Sequence, residues 1–420
     1  MENGRGGRSL FHGWIMLPIA TIGLVATSPG QTYGISIFNE YFRSALDLSN
    51  SQISGAYMAG TLLAAAPMTY VGALMDRFGL RRCITMTVAL LGAACIFTSQ
   101  VTGLFTLFIA FFLLRLLGPG ALGLLCANVL AFWFHRRLGM VEGIRYAGIA
   151  VALAVVPMLN LWLVQSFDWR WAYAILGVGV WVMMLPLMIP FRNRPEEVGQ
   201  YRDGIAPSEA GEDPDGIDPH DEYSFTLKQA FKTRAFWIVA GALALWGMLN
   251  TGAIFFIAPL ATERGLTEAE AAQLFPVFAV SLALVQFGGG FLADRVPLNY
   301  LLAASCAFMA GTFWVVWAMD ALWMVYFAGL MMGLSQGLLS AARAPLFPRF
   351  FGRDHLGKIR GSVATILVAS SSVGPLIVGV ARDSLGTFDM VLGLFAFLPL
   401  PLVFLSFLAT PPPRPGQGVP

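Results

Sequence analysis

Gly72-Ala73-Leu74-Met75-Asp76-Arg77 and Gly290-Phe291-Leu292-Ala293-Asp294-Arg295 are two copies of one pattern, Gly-x-Leu-x-Asp-Arg, set 218 residues apart. Each closes a long apolar stretch. The same offset carries Ser49 with Gln52 onto Thr267 with Glu270, and each pair reads as a capping box at the head of an apolar helix. It also carries Thr32 and Gly34 onto Asn250 and Gly252, while a nearby offset of 214 relates Gly123-Leu124-Leu125 and Ala127 to Gly337-Leu338-Leu339 and Ala341. The chain therefore reads as one module used twice.

The bulk numbers say what kind of module it is. Hydrophobic residues make up 57% of the 420 and charged residues only 12%, and the mean hydropathy is +0.70. A water-soluble chain needs more charge than that to cover its surface. The apolar runs also exceed the roughly 18 residues that diagnose a membrane-spanning helix. The lipid bilayer is thus an expected partner, and a net charge of +2 gives no reason to expect nucleic acid. Cys83, Cys95, Cys126 and Cys306 have no metal-ligand spacing and read as small packing residues. The run from Trp14 to Phe38 is too long for a signal peptide and has no obvious cleavage site.

Apolar segments fall near 12–38, 52–75, 83–101, 104–134, 145–166 and 170–190, and then near 235–262, 268–293, 298–318, 321–347, 357–381 and 386–409. Hydrocarbon admits only backbone that satisfies its own hydrogen bonds, so these segments must be helices. The expected fold is an all-α membrane protein of twelve transmembrane helices in two pseudo-symmetric six-helix bundles, 1–190 and 235–410. A cytoplasmic linker (191–234) joins them, and a Pro-rich tail (411–420) follows. The linker composition predicts a flexible tether, ending in a short interfacial helix whose Phe225, Leu227 and Phe231 reach the bilayer surface while Lys228 and Lys232 stay wet. Placing both termini in the cytoplasm leaves nineteen Lys and Arg inside and only Arg43, Arg170, Arg264 and Arg382 outside, as the positive-inside bias requires. A bacterial inner membrane and a monomer are the matching expectations.

Gly72 to Arg82, read as Gly-Ala-Leu-Met-Asp-Arg-Phe-Gly-Leu-Arg-Arg, resembles the motif between the second and third helices of the major facilitator superfamily. Within that superfamily the chain is most similar to the monocarboxylate transporter and oxalate/formate antiporter branch. The residues that carry this are His12-Gly13-Trp14, Trp133 to Arg137 with Glu142-Gly143, Asp168 to Trp171, Arg194 to Glu197 and the lead-in from Phe225 to Trp237. The resemblance implies a transporter working by alternating access. The branch's lysine in the first helix and its charged residues in the eighth have no counterpart here, since Trp14–Phe38 and Ala272–Ala293 carry no charge.

By resemblance, the first, fourth, seventh and tenth helices line the central cavity. Arg115 and Arg343 fall in two of them. A charge near the bilayer centre costs about 2.5–3.5 kcal/mol on insertion scales and persists where a cavity, partner or ligand compensates. A guanidinium also matches a carboxylate with two parallel hydrogen bonds. Arg343 and then Arg115 are therefore the expected anion contacts. The plainer roles are snorkelling for Arg343 and bracing of backbone carbonyls for Arg115, whose Arg115-Leu116-Leu117-Gly118-Pro119-Gly120 resembles the superfamily's fourth-helix motif. Pro29-Gly30-Gln31-Thr32-Tyr33-Gly34 and Asn250-Thr251-Gly252 predict loosening of the first and seventh helices at matching depth. Gln31, Tyr33 and Asn250 would then offer neutral hydrogen bonds, with Asn128 and Gln336 as weaker candidates. Interhelical glue is the plainer role for all five.

Gly72, Asp76, Arg77, Gly290, Asp294 and Arg295 are the expected gating set. A carboxylate at a helix end can meet another helix's positive N-terminus, and by resemblance these contacts hold the outward-facing state and break during transport. No cofactor, metal set, nucleophile pair or phosphate loop is present in the sequence, so an enzyme is not expected. The expected substrate is a small organic anion of the carboxylate class. Export of amphipathic or neutral compounds, or a sensor that no longer transports, are the alternatives.

Overall fold

The computed structural model describes residues 11–134, 137–204, 224–352 and 355–412. Among them every regular element is a helix. The first half comprises α1 (Gly13–Val25, continuing through short turns to Ala45), α2 (Asn50–Ala65 and Met68–Phe78), α3 (Leu80–Thr98), α4 (Leu104–Arg115, a π-helical turn Leu116–Leu122, then Gly123–Trp133), α5 (Leu138–Phe167) and α6 (Trp169–Met184). The second comprises α7 (Arg234–Phe255), α8 (Glu268–Ala272 and Leu274–Arg295), α9 (Leu298–Trp317), α10 (Leu322–Phe351), α11 (Leu356–Leu385) and α12 (Asp389–Phe397 and Leu400–Ser406). Among the described residues, eleven helices are long and apolar enough to cross a bilayer. The one expected span missing from that set is α2, which Ala66-Pro67 interrupts. Proline offers no amide and its ring crowds the preceding turn.

Both halves use the same packing plan. In the first, α2 lies on α4 and α1 on α5; in the second, α8 lies on α10 and α7 on α11. Lipid tails are as apolar as the side chains, so close backbone approach between small residues does much of the joining. A Cβ added at Gly60 would stand 2.9 Å from the Phe112 amide nitrogen, between α2 and α4, and one at Gly333 would stand 2.8 Å from the Leu282 amide nitrogen, between α8 and α10. Both predicted capping boxes are formed. Ser49 accepts from the Gln52 amide and Thr267 from the Glu270 amide, and the Gln52 and Glu270 side chains accept in return from the Ser49 and Thr267 amides.

The halves meet along α2 with α11 and α5 with α8, and among the described residues the hydrogen bonds seen between them, such as Asn39 to Phe255, Tyr41 to Glu268 and Asn50 to Asp383, gather at one end. At the closed end a Cβ on Gly379 of α11 would stand 2.7 Å from the Asn50 carbonyl oxygen at the head of α2. At the other end of the same four helices, Gly72, Gly143, Gly288 and Gly361 have nothing within 4 Å of an added Cβ. The molecule is a V, open on the side of the two Asp-Arg motifs.

The linker differs from a free tether at both of its ends. Asn193 accepts from the Arg81 amide at 2.8 Å, and Gln200 accepts from the His12 amide at 2.9 Å, so the first stretch lies on the first half. Residues 205–223 are outside the described set. The last stretch lies on the second half, where the Phe225 amide donates to the Phe351 carbonyl at 2.8 Å. Phe225 is buried and packs edge-on against Phe351 rather than facing the bilayer, which corrects the sequence expectation for that residue. The predicted interfacial helix amounts to one turn, Leu227–Ala230, with Phe231 exposed beyond it.

Candidate functional site

The break in α1 falls where the sequence puts it. Ser28–Gly30 is a 3-10 turn, Gln31 is extended (φ −79, ψ 152), and a helical turn restarts at Thr32. Pro29 denies one amide to the helix and Gly30 allows a close approach, since a Cβ there would be 2.1 Å from the Leu114 carbonyl of α4. On the other side of that contact α4 is irregular too. Pro119 has no amide for the Arg115 carbonyl, and the chain passes through a π-helical turn, a distortion common at functional sites. Two irregular segments thus face each other at mid-depth.

Arg115 sits between them. Its Nη1 donates to the Gly30 carbonyl at 3.1 Å, its guanidinium carbon lies 5.5 Å from the centre of the Tyr57 ring, and its buried Nε has no partner. The side chain therefore braces the α1 break and still carries an unanswered donor. Tyr57 exchanges a hydrogen bond with Thr32 at 2.8 Å and packs against Phe255 of the second half, ring centres 4.6 Å apart. Those two rings lie between Arg115 and the closed end, where Asn39 also donates to the Phe255 carbonyl. Neither Tyr57 nor Phe255 stands out in the sequence, because an aromatic among apolar residues gives no signal of a seam between bundles.

The other predicted contacts divide. Gln31 and Tyr33 are half-buried at the break, with Gln31 donating to Thr27 and Tyr33 bonded to Ser28. Asn250 is buried and its Oδ1 lacks a partner. The expectation that α7 loosens there is wrong, because the helix runs unbroken from Arg234 to Phe255. No proline interrupts it. Gly252 serves packing instead, with an added Cβ 3.0 Å from the Gly374 carbonyl of α11. Asn128 spends its amide on the Leu124 carbonyl one turn back. Gln336 is half-buried and makes no hydrogen bond among the described residues.

Arg343 of α10 is exposed and makes no hydrogen bond or ion pair among the described residues. Arg360 of α11, which the sequence places with the flanking cations, is exposed as well. Glu142, which lies outside the apolar run near 145–166, sits in the first turns of α5, because that helix starts seven residues earlier than the run. It holds the buried Arg145 at 2.7 Å.

Of the gating set, Arg77 and Arg295 are exposed at the open end, Arg77 against the Phe78 ring, and Gly72 faces open space. For Asp76, Gly290 and Asp294 only the helical backbone is described. Gly79, which follows the first motif, has φ +80 between α2 and α3, a conformation that suits glycine.

The sequence matches the family model of the Major Facilitator Superfamily over residues 20–321 and again over 248–420. The chain belongs to the Major Facilitator Superfamily. It is 27% identical over 387 residues to human monocarboxylate transporter 11, covering 85% of this chain and 77% of that one. Monocarboxylate transporter 2 of Mesocricetus auratus is 24% identical over 70% of this chain and 63% of its own. An uncharacterized superfamily transporter of Escherichia coli, YhjX, is 23% identical over 54% of this chain and 52% of its own. Among solved structures, a bacterial homolog of the human lysosomal transporter Spinster, inward-facing and occupied, superposes with a TM-score of 0.70 at 14% identity, covering 94% of this chain and 96% of that one. The protein is a Major Facilitator Superfamily transporter that resembles the monocarboxylate transporter branch.

Proposed function

We propose that this transporter carries a small organic anion of the carboxylate class by alternating access. The observation that carries the reading is Arg115. A cation held at mid-depth in an apolar bundle, among irregular backbone and with a buried donor unanswered, is compensated in full only when an acceptor joins it. Arg343, exposed and without a hydrogen bond or ion pair among the described residues, adds positive charge toward the open end, where an anion enters or leaves. The monocarboxylate transporters among the relatives support the same cargo class. With the positive-inside bias, the open end is the cytoplasmic one and the state described is inward-facing.

The test is uptake of labelled organic acids into proteoliposomes, with and without pH and sodium gradients, against neutral and amphipathic competitors. Saturable uptake blocked by unlabelled carboxylates is expected. Block by neutral compounds alone would assign a different cargo and leave the arginines with structural work only.

A further inference from the structure

We infer that Asp383, at the closed end of α11, is a positioning residue of the transport cycle: it latches the head of α2 and sets the balance between the two access states. The inference rests on alternating access and is independent of the anion proposed above. The carboxylate reaches across the seam between the halves. Its Oδ1 accepts from the Asn50 amide at 3.3 Å and from Asn50 Nδ2 at 2.9 Å, and its Oδ2 accepts from the Ser51 amide at 2.7 Å. Asn50 and Ser51 are the first two residues of α2. The first amides of a helix have no partner within it and carry its positive dipole end, so a carboxylate is the acceptor best matched to them. A residue of the opposite bundle fills that place.

The backbone is built to bring them together. Gly379, one turn before Asp383, lies against α2 so closely that an added Cβ would be 2.4 Å from Ser54 Oγ and 2.7 Å from the Asn50 carbonyl. Ser49 meanwhile caps the Gln52 amide. The head of α2 thus divides its exposed donors, the local cap answering one and the opposite half answering two. A further bond across the same seam, Tyr41 to Glu268 at 2.8 Å, flanks the latch.

Exposure explains why such a latch can cycle. Asp383 is at the surface, so when the end opens, both the carboxylate and the amides pass to water and neither is stranded. The contact biases a population and does not lock it. The opposite end of α2 carries Asp76, so one helix bears an anion-accepting head and an anion-bearing foot.

The experiment measures the closed-end gap directly. Spin labels at Thr102→Cys and Leu385→Cys, exposed positions at the closed end of each half, report its distance distribution in the full chain in nanodiscs; the four native cysteines are buried. Asp383→Asn is expected to lower the ratio of closed to open populations roughly fivefold, with the thermal unfolding midpoint unchanged. Asn50→Pro is a second, independent break. It removes two of the three donors while proline suits the first position of a helix, and it should move the distribution the same way. If either variant, monodisperse and folded, keeps the wild-type distribution, the latch is overturned. The readout needs no substrate, so a failed anion assay and a failed latch are told apart.

Discussion

At the residue scale the decisive feature is how each charge inside the bundle is answered. Arg115 gives one hydrogen bond to the Gly30 carbonyl and leaves Nε unpaired, so charge and fork geometry both matter there. Arg115→Lys keeps the charge but cannot reproduce the fork; we predict a loss of about tenfold or more in maximal uptake rate with insertion intact, read by proteoliposome kinetics. Arg343, with no hydrogen-bond partner among the described residues, braces nothing there. Arg343→Gln should raise the KM for an anion about tenfold and leave thermal stability within about 0.5 kcal/mol; unchanged kinetics would remove Arg343 from the site. At the closed end the Tyr41 phenol is pushed above its usual range by burial and then by Glu268. It stays neutral, and a hydrogen-bond donor, at any pH the cell meets.

At the element scale, legibility in the sequence follows the range of the forces involved. Capping boxes, the proline-glycine break of α1 and the apolar spans depend on neighbours a few residues away, and these were readable. The unbroken course of α7 is not legible, because Asn250-Thr251-Gly252 looks locally weak while the reason for its glycine is Gly374 on another helix. The place of Glu142 is not legible either, because polarity marks the edge of an apolar run, and its pair with the buried Arg145 lets α5 extend past that edge. Two substitutions check this view. Gly374→Ala would set a Cβ 2.0 Å from the Met248 carbonyl and should cost about 1–3 kcal/mol in a thermal-shift assay. Thr267→Ala, which breaks the cap of α8, should cost about 1 kcal/mol, and Ser49→Ala a similar amount at α2.

At the scale of the whole molecule, the same four helices meet at one end and part at the other. Switching access must bring Gly72 of α2 toward Gly361 of α11, both facing open space in this state. A disulfide between Gly72→Cys and Gly361→Cys, formed in membranes under oxidant, should arrest uptake and release it on reduction; full activity while cross-linked would contradict rocking about this seam. The pseudo-symmetry itself was legible from the doubled motif. The direction in which the V opens was not, since the same sequence must support both states.

The anchored ends of the linker also bear on how the halves are coupled. Only nineteen residues, 205–223, separate the last described residue on the first half from the first on the second. The described contacts that join the halves lie along α2 with α11 and α5 with α8 instead. Communication between the bundles therefore passes through their shared seam. Two separately expressed chains, cut within that stretch, should find each other in the bilayer and still carry cargo.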